Sequence, residues 1–150
     1  MDDLVQFLKD RLAEDEEIAK DPTHATWATA EWRFNDAGEA PYVDLGTNHL
    51  DSVSSLNESE MRHIARHDPA RVLAEVGAKR RLLAGYATAV DRIEELVSLC
   101  ERLKAEGKDA FASDMDRITT IHRRDVLHEV LHLLALPYAD HPDYRQSWRP

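Results

Sequence analysis

Apolar residues return at helical spacing over four stretches of this chain, and capping or turn residues mark the breaks between them. Leu4, Phe7, Leu8, Leu12 and Ile18 fall near one face of a helix over about 2–20, with Glu14 to Glu17 mostly outward and Pro22 ending it. Asp2 or Asp3 suits the positive end of its dipole. Between 26 and 46 the period changes. Thr26 to Phe34 alternates loosely and is rich in aromatic and β-branched residues, Asn35-Asp36-Ala37-Gly38 supplies turn chemistry, and Tyr42 to Leu45 returns as a second strand. Such a ribbon is marginal alone and must lean on helices. Trp27, Trp32 and Phe34 form its packing side or, alternatively, a recognition surface, because aromatics are enriched at interfaces.

Asn57 with Glu60 three residues later is a capping-box pattern, which predicts a short helix over 57–67. Asp68-Pro69 opens the next helix, since Asp caps and Pro is tolerated at the first helical position. That helix is expected over 69–106. Val76, Leu83, Val90 and Val97 recur every seven residues, with Tyr86, Ile93 and Cys100 interleaved, as in the a/d seam of a coiled coil. Gly77 and Gly85 interrupt it, and Gly107 is a natural stop. Ser113 to Asp116 resembles a further capping box. It starts a last helix over 113–136 through Ile118, Ile121, Val126, Leu127, Val130, Leu131 and Leu134. The connection between the two long helices is short, so they should fold back antiparallel. The tail over 137–150 is expected to be extended. The expected fold is mainly α: a single helical domain over 1–150, an antiparallel helical hairpin with two shorter helices and a small β-hairpin packed on one side.

Charge narrows the partners. Residues 1–60 hold 15 Asp and Glu against 4 Lys and Arg, whereas 61–150 hold 14 against 15. An acidic front and a near-neutral back argue against nucleic-acid binding through bulk charge, which needs a basic face. Lys79-Arg80-Arg81 reads as the solvated side of a helix. A single cysteine, Cys100, excludes an intramolecular disulfide and a Cys-based zinc knuckle, and its place in the apolar repeat suits a buried thiol. The first residues lack the positive region of a secretion signal, and no apolar run approaches the roughly 18–20 residues that span a bilayer. A cytoplasmic protein is expected, without membrane contact.

The candidate chemistry lies in the histidines. His128-Glu129-Val130-Leu131-His132 matches the HExxH pattern, in which two His at i and i+4 share a helical face and bind zinc while the Glu acts as general base. His141 would be the third ligand. Leu133-Leu134, Tyr138 and Asp140-His141 look like the signature of the small bacterial zinc endoribonucleases that process ribosomal RNA. In that family the third histidine follows the second by six residues, where this chain has Tyr138. A second i, i+4 pair, His63 and His67, is followed by Asp68 and could join His141 in a structural zinc site. The bland alternative makes Asp68 a helix cap and the histidines hydrogen-bonded residues of a helical joint. There is no GxGxxG, no P-loop and no GxSxG elbow.

Three stretches together resemble a known family: Asp2 to Phe7-Leu8 through Glu14-Asp15-Glu16, His63 through Leu83, and Leu133 through Tyr144 ending in Trp148-Arg149-Pro150. They are similar to small uncharacterised proteins, a domain of unknown function, from actinobacteria and their phages. The resemblance implies a host or prophage-borne accessory protein and carries no activity, cofactor or catalytic residue. In that family's pattern Arg often stands where this chain has His132, which turns the site toward His63, His67 and His141. Thr23-His24-Ala25-Thr26 departs from the turn residues familiar there. The first reading of function is therefore a non-enzymatic interaction or regulatory protein, binding a protein partner or a second copy through the helical seam. A zinc-dependent hydrolase using Glu129 with His128, His132 and His141, and a purely structural zinc protein, are the alternatives. Zinc is the one cofactor that any of these implies.

Overall fold

A computed structural model describes residues 3–23, 29–37, 40–46, 52–53 and 56–150. Four helices carry the fold: α1 (Asp3–Lys20), α2 (Glu58–Arg66), α3 (Pro69–Ala105) and α4 (Phe111–Ala135). Three short strands, β1 (Arg33–Asn35), β2 (Tyr42–Asp44) and β3 (Ser52–Val53), form an antiparallel sheet in the order β1-β2-β3. The fold is mainly α, as the periodicity predicts. None of the described helices is long and apolar enough to cross a membrane. The chain divides into two compact units, one made of Met1–Lys9 and Lys79–Pro150, the other of Asp10–Ala78.

In the Asp10–Ala78 unit, the sheet packs on α2, with Val43 at its centre fully buried and Met61 of α2 buried beside the core. Pairing runs Arg33 to Asp44, Phe34 to Val43 and Asn35 to Tyr42, and β3 pairs Val53 with Val43. The ribbon expected over 26–46 is thus shorter on its first strand and gains a third. Asn35 shapes the turn: its side-chain oxygen accepts from the Ala37 amide at 2.9 Å, and its amide donates to the Tyr42 hydroxyl at 2.7 Å. Trp27 and Gly38 lie outside the described residues. Trp32 and Phe34 are half-buried, and the Arg62 guanidinium lies 4.3 Å over the Phe34 ring. Gly46 closes the sheet at φ 78°, a left-handed conformation. A β-carbon there would fall 1.9 Å from the Thr29 hydroxyl oxygen, so only glycine fits.

The capping box at Asn57 forms in both directions, Glu60 N–H to Asn57 Oδ1 and Asn57 N–H to Glu60 Oε2, each at 3.0 Å. At the next junction Asp68 does two things. Its Oδ1 accepts from the Arg71 amide at 2.8 Å, capping α3, and its Oδ2 accepts from the Trp32 amide at 3.3 Å. The Ala70 amide donates to the Ala30 carbonyl at 2.9 Å, so one turn of α3 holds the segment leading into β1.

In the unit formed by Met1–Lys9 and Lys79–Pro150, α3 and α4 run antiparallel. Lys104 pairs with Asp114 at 3.1 Å near their shared end, Arg92 with Asp116 at 2.9 Å, and the Tyr86 ring stacks on His128 at 5.7 Å. α3 is continuous through Gly77 and Gly85. It stops where predicted: Gly107 takes φ 67°, its amide donates to the Lys104 carbonyl at 3.1 Å, and the Lys108 amide donates to the Leu103 carbonyl at 2.9 Å. These two bonds are a Schellman cap. The start of α4 differs from expectation. It begins at Phe111, with the Asp109 carboxylate accepting from the Phe111 amide at 2.9 Å, and Ser113 lies inside the helix.

Asp114, in the first turn of α4, ties the closed end of the hairpin together. It pairs with Lys104 and with Arg117, the latter at 3.3 Å, and accepts from the Cys100 thiol. Lys104 foremost, then Cys100, holds the Asp114 carboxyl below the usual range. Burial pushes the Cys100 thiol up, and Asp114 adds to the effect. The tail is not extended. It forms a 3₁₀ turn over Leu136–Tyr138, further turns, and a second 3₁₀ turn over Gln146–Trp148. On the first helix, Leu4, Val5, Phe7, Leu8 and Leu12 are buried, but Ile18, expected on the same face, is 66% exposed.

Two tests follow from these junctions. Asp68→Ala removes a cap and leaves the Trp32 amide without this acceptor, and should cost about 1–2 kcal/mol in urea unfolding, whereas Asp68→Asn should recover most of it. Asp114 contributes fully above about pH 4, the ordinary aspartate value, and that contribution is lost as pH falls through its lower folded value. Thermal melts from pH 7 to pH 2.5 should therefore drop less steeply below pH 4 for Asp114→Asn than for the native chain. Identical slopes would remove Asp114 from the account.

Candidate functional site

The sequence points to histidines on α2, on α4 and in the tail. On α2, residues 63 and 67 lie one turn apart, so their rings meet: the centroids are 4.3 Å apart and tilted by 34°. His67 Nδ1 lies 3.1 Å from the His63 carbonyl, an acceptor, so this nitrogen carries the proton. The adjoining Asp68 spends both carboxylate oxygens on backbone amides. His67 also edges a cleft of about 230 Å³ lined by Asp15, Ile18, Trp32, Pro69 and Val72 among others, all in the Asp10–Ala78 unit. His141 belongs to the other unit.

On α4, His128 and His132 meet edge to face with centroids 4.8 Å apart. His132 Nδ1 donates to the Trp148 carbonyl at 2.7 Å, which leaves the proton off Nε2 in the neutral ring. Glu129 is exposed. The tail folds around Phe7. Tyr138, His141, Tyr144 and Trp148 surround that ring at centroid distances of 6.3, 5.7, 6.1 and 5.0 Å. His141 Nδ1 accepts from the Asp143 amide at 3.1 Å, so in this ring the other nitrogen bears the proton. Arg145 adds an ion pair to Asp3 at 2.6 Å and lies 5.4 Å over the Trp148 ring. The Leu-Pro-Tyr-Ala-Asp-His-Pro-Asp-Tyr string thus supplies an aromatic clasp between the tail and the first turns of α1. Among the described residues no group of three or more His, Cys, Asp or Glu is gathered as a metal cage.

A different feature stands out on α4. Leu131 and Ala135 are buried, whereas Phe111, Met115, Ile118, Val126 and Leu133 are 70, 47, 42, 61 and 55% exposed. At 100° per residue these five fall within about 80° of one another, on the side opposite the buried pair. Periodicity puts Ile118 and Val126 among the apolar residues of this helix, but it shows where apolar residues recur and not which of them a neighbour covers. The available signal was excess: α4 has apolar residues on more of its circumference than one packed face can hide. The α3 seam needs a matching correction. Val76, Leu83, Leu96 and Cys100 are buried, but Val97 is 38% exposed, because the buried positions shift to Ala89 and Leu96 instead of keeping the heptad.

Neither a curated protein nor a solved structure matches the chain. Residues 1–150 match the family of unknown function DUF6221, and this protein belongs to that family.

Proposed function

We propose that this protein is a non-enzymatic interaction or regulatory module, working in the cytoplasm of an actinobacterium or its phage through the outer face of α4. The observation that carries the reading is the row of five large apolar side chains exposed on that face. Scattered single apolar residues are ordinary on a surface, but five aligned along one face of a helix are a mark of a binding face. The polar residues between them, Thr119, His122, Asp125 and Glu129, are also exposed and keep the face soluble when it is empty.

A second reading retains zinc at His128 and His132, with Glu129 as general base. What favours it is the His132 Nδ1 bond to the Trp148 carbonyl, the type of outer contact that orients a metal-binding imidazole. The same bond also serves to dock the tail.

Photoreactive benzoylphenylalanine in place of Phe111 or Val126 should give cross-linked adducts in cells, while the same group at exposed Glu94 of α3 should not. Absence of any adduct at 111 and 126 would sink the interaction reading. For the zinc reading, elemental analysis of the purified, untagged protein should find about one zinc per chain, lost in His132→Ala and kept in Glu129→Gln. Protein free of zinc after growth in zinc-supplemented medium removes that reading.

A further inference from the structure

The exposed row on α4 has an internal symmetry. Phe111 and Leu133 lie eleven positions to either side of His122, and Ile118 and Val126 lie four positions to either side. All four are exposed, and all share one face of a helix that spans Phe111–Ala135. A two-fold axis through His122, perpendicular to α4, therefore sets Phe111 against Leu133 of a second copy and Ile118 against its Val126. Met115 then faces Glu129, whose methylene stem can cover the thioether while its carboxylate stays in water. Isologous pairing requires such self-complementarity, since every contact must occur twice with the residues exchanged. A foreign helix imposes no symmetry on the face it binds.

We infer that the occupant of this face is a second copy of the chain, with the two α4 helices packed antiparallel about His122. The inference rests on the reading of α4 as the interaction surface. The five side chains leave on the order of 500 Å² exposed per chain, so full coverage of both rows would bury about 1,000 Å² in total, at the lower limit for a specific interface and in keeping with a reversible dimer. The contact length, from Phe111 to Leu133, is about 33 Å at 1.5 Å per residue, long enough for three turns on each side of the axis. The dimer is expected to be reversible, because the centre of its interface is a polar pair, His122 against His122, and not an apolar layer.

The test uses the purified full-length chain. Light scattering at tens of micromolar should give twice the 17.1 kDa chain mass. Val126→Glu should raise the dissociation constant at least about 100-fold, because each substitution acts twice across the axis. Its circular dichroism and melting should stay close to the native chain, since residue 126 is 61% exposed. Geometry is tested separately by cysteine cross-linking under mild oxidation. His122→Cys should link to itself in high yield, Phe111→Cys alone should not, and a mixture of Phe111→Cys with Leu133→Cys should. Native protein is the control, as its Cys100 is buried. A monomer throughout this concentration range overturns the inference, as does a dimer that His122→Cys cannot trap. If the chain is monomeric but position 126 still forms adducts with another protein in cells, the two-fold pairing is wrong and the interaction reading stands. If no adduct forms at all, both fall.

Discussion

A helix in a hairpin has only one side to give to its neighbour, and that geometric limit governs what α4 presents to water. Its buried positions, Leu131 and Ala135, lie on the side that faces the core. Each apolar residue placed opposite them stays hydrated, forgoing roughly 25 cal/mol for every Å² left in water. Five large side chains in that position make a face that the hairpin by itself does not satisfy. The antiparallel arrangement with α3 leaves that outer face of α4 in water.

The histidine motifs have a more local use. A backbone amide or carbonyl at a helix end or in a turn lacks an intrahelical partner, and this chain often answers with a side chain. Asp68 takes two amides at the start of α3, His67 donates to the carbonyl one turn back, His132 donates to the Trp148 carbonyl, and His141 accepts from the Asp143 amide. Residue types suited to metal or acid–base chemistry are thus engaged in ending helices and turning the tail. Phe7 receives what those bonds deliver: four aromatic rings from the tail close on it, and Arg145 seals the edge against Asp3.

The start of α4 shows how a local signal can be overridden by its surroundings. Ser113 suits a cap by its spacing to Asp116, yet Asp109 bonds the first amide, two residues ahead of Phe111, and Ser113 lies inside the helix. Asp114 meets Lys104, Arg117 and the Cys100 thiol, so a carboxylate in the first turn of α4 joins two helices. The same contacts mark Cys100 as a structural thiol, because a buried sulfur beside a carboxylate is held away from its reactive thiolate form.

What the amino-acid sequence determined by itself are the features that close within about five residues. The capping box of Asn57 and Glu60, the Asp68-Pro69 opening of α3 and the Schellman stop at Gly107 depend on bonds between near neighbours, and the local order of residues specifies them. The helical class and the antiparallel hairpin follow from periodicity and a short connection. Tertiary structure decided the rest, because the deciding contacts join distant residues. β3 is two residues long, too short to show alternation, and exists as a strand through its pairing with β2. The role of His132 depends on a carbonyl sixteen residues away, and the clasp on Phe7 on residues more than a hundred positions later. Above all, periodicity gave Ile118 and Val126 the same standing as Leu131; only the placement of neighbours separates an apolar residue that is covered from one left in water.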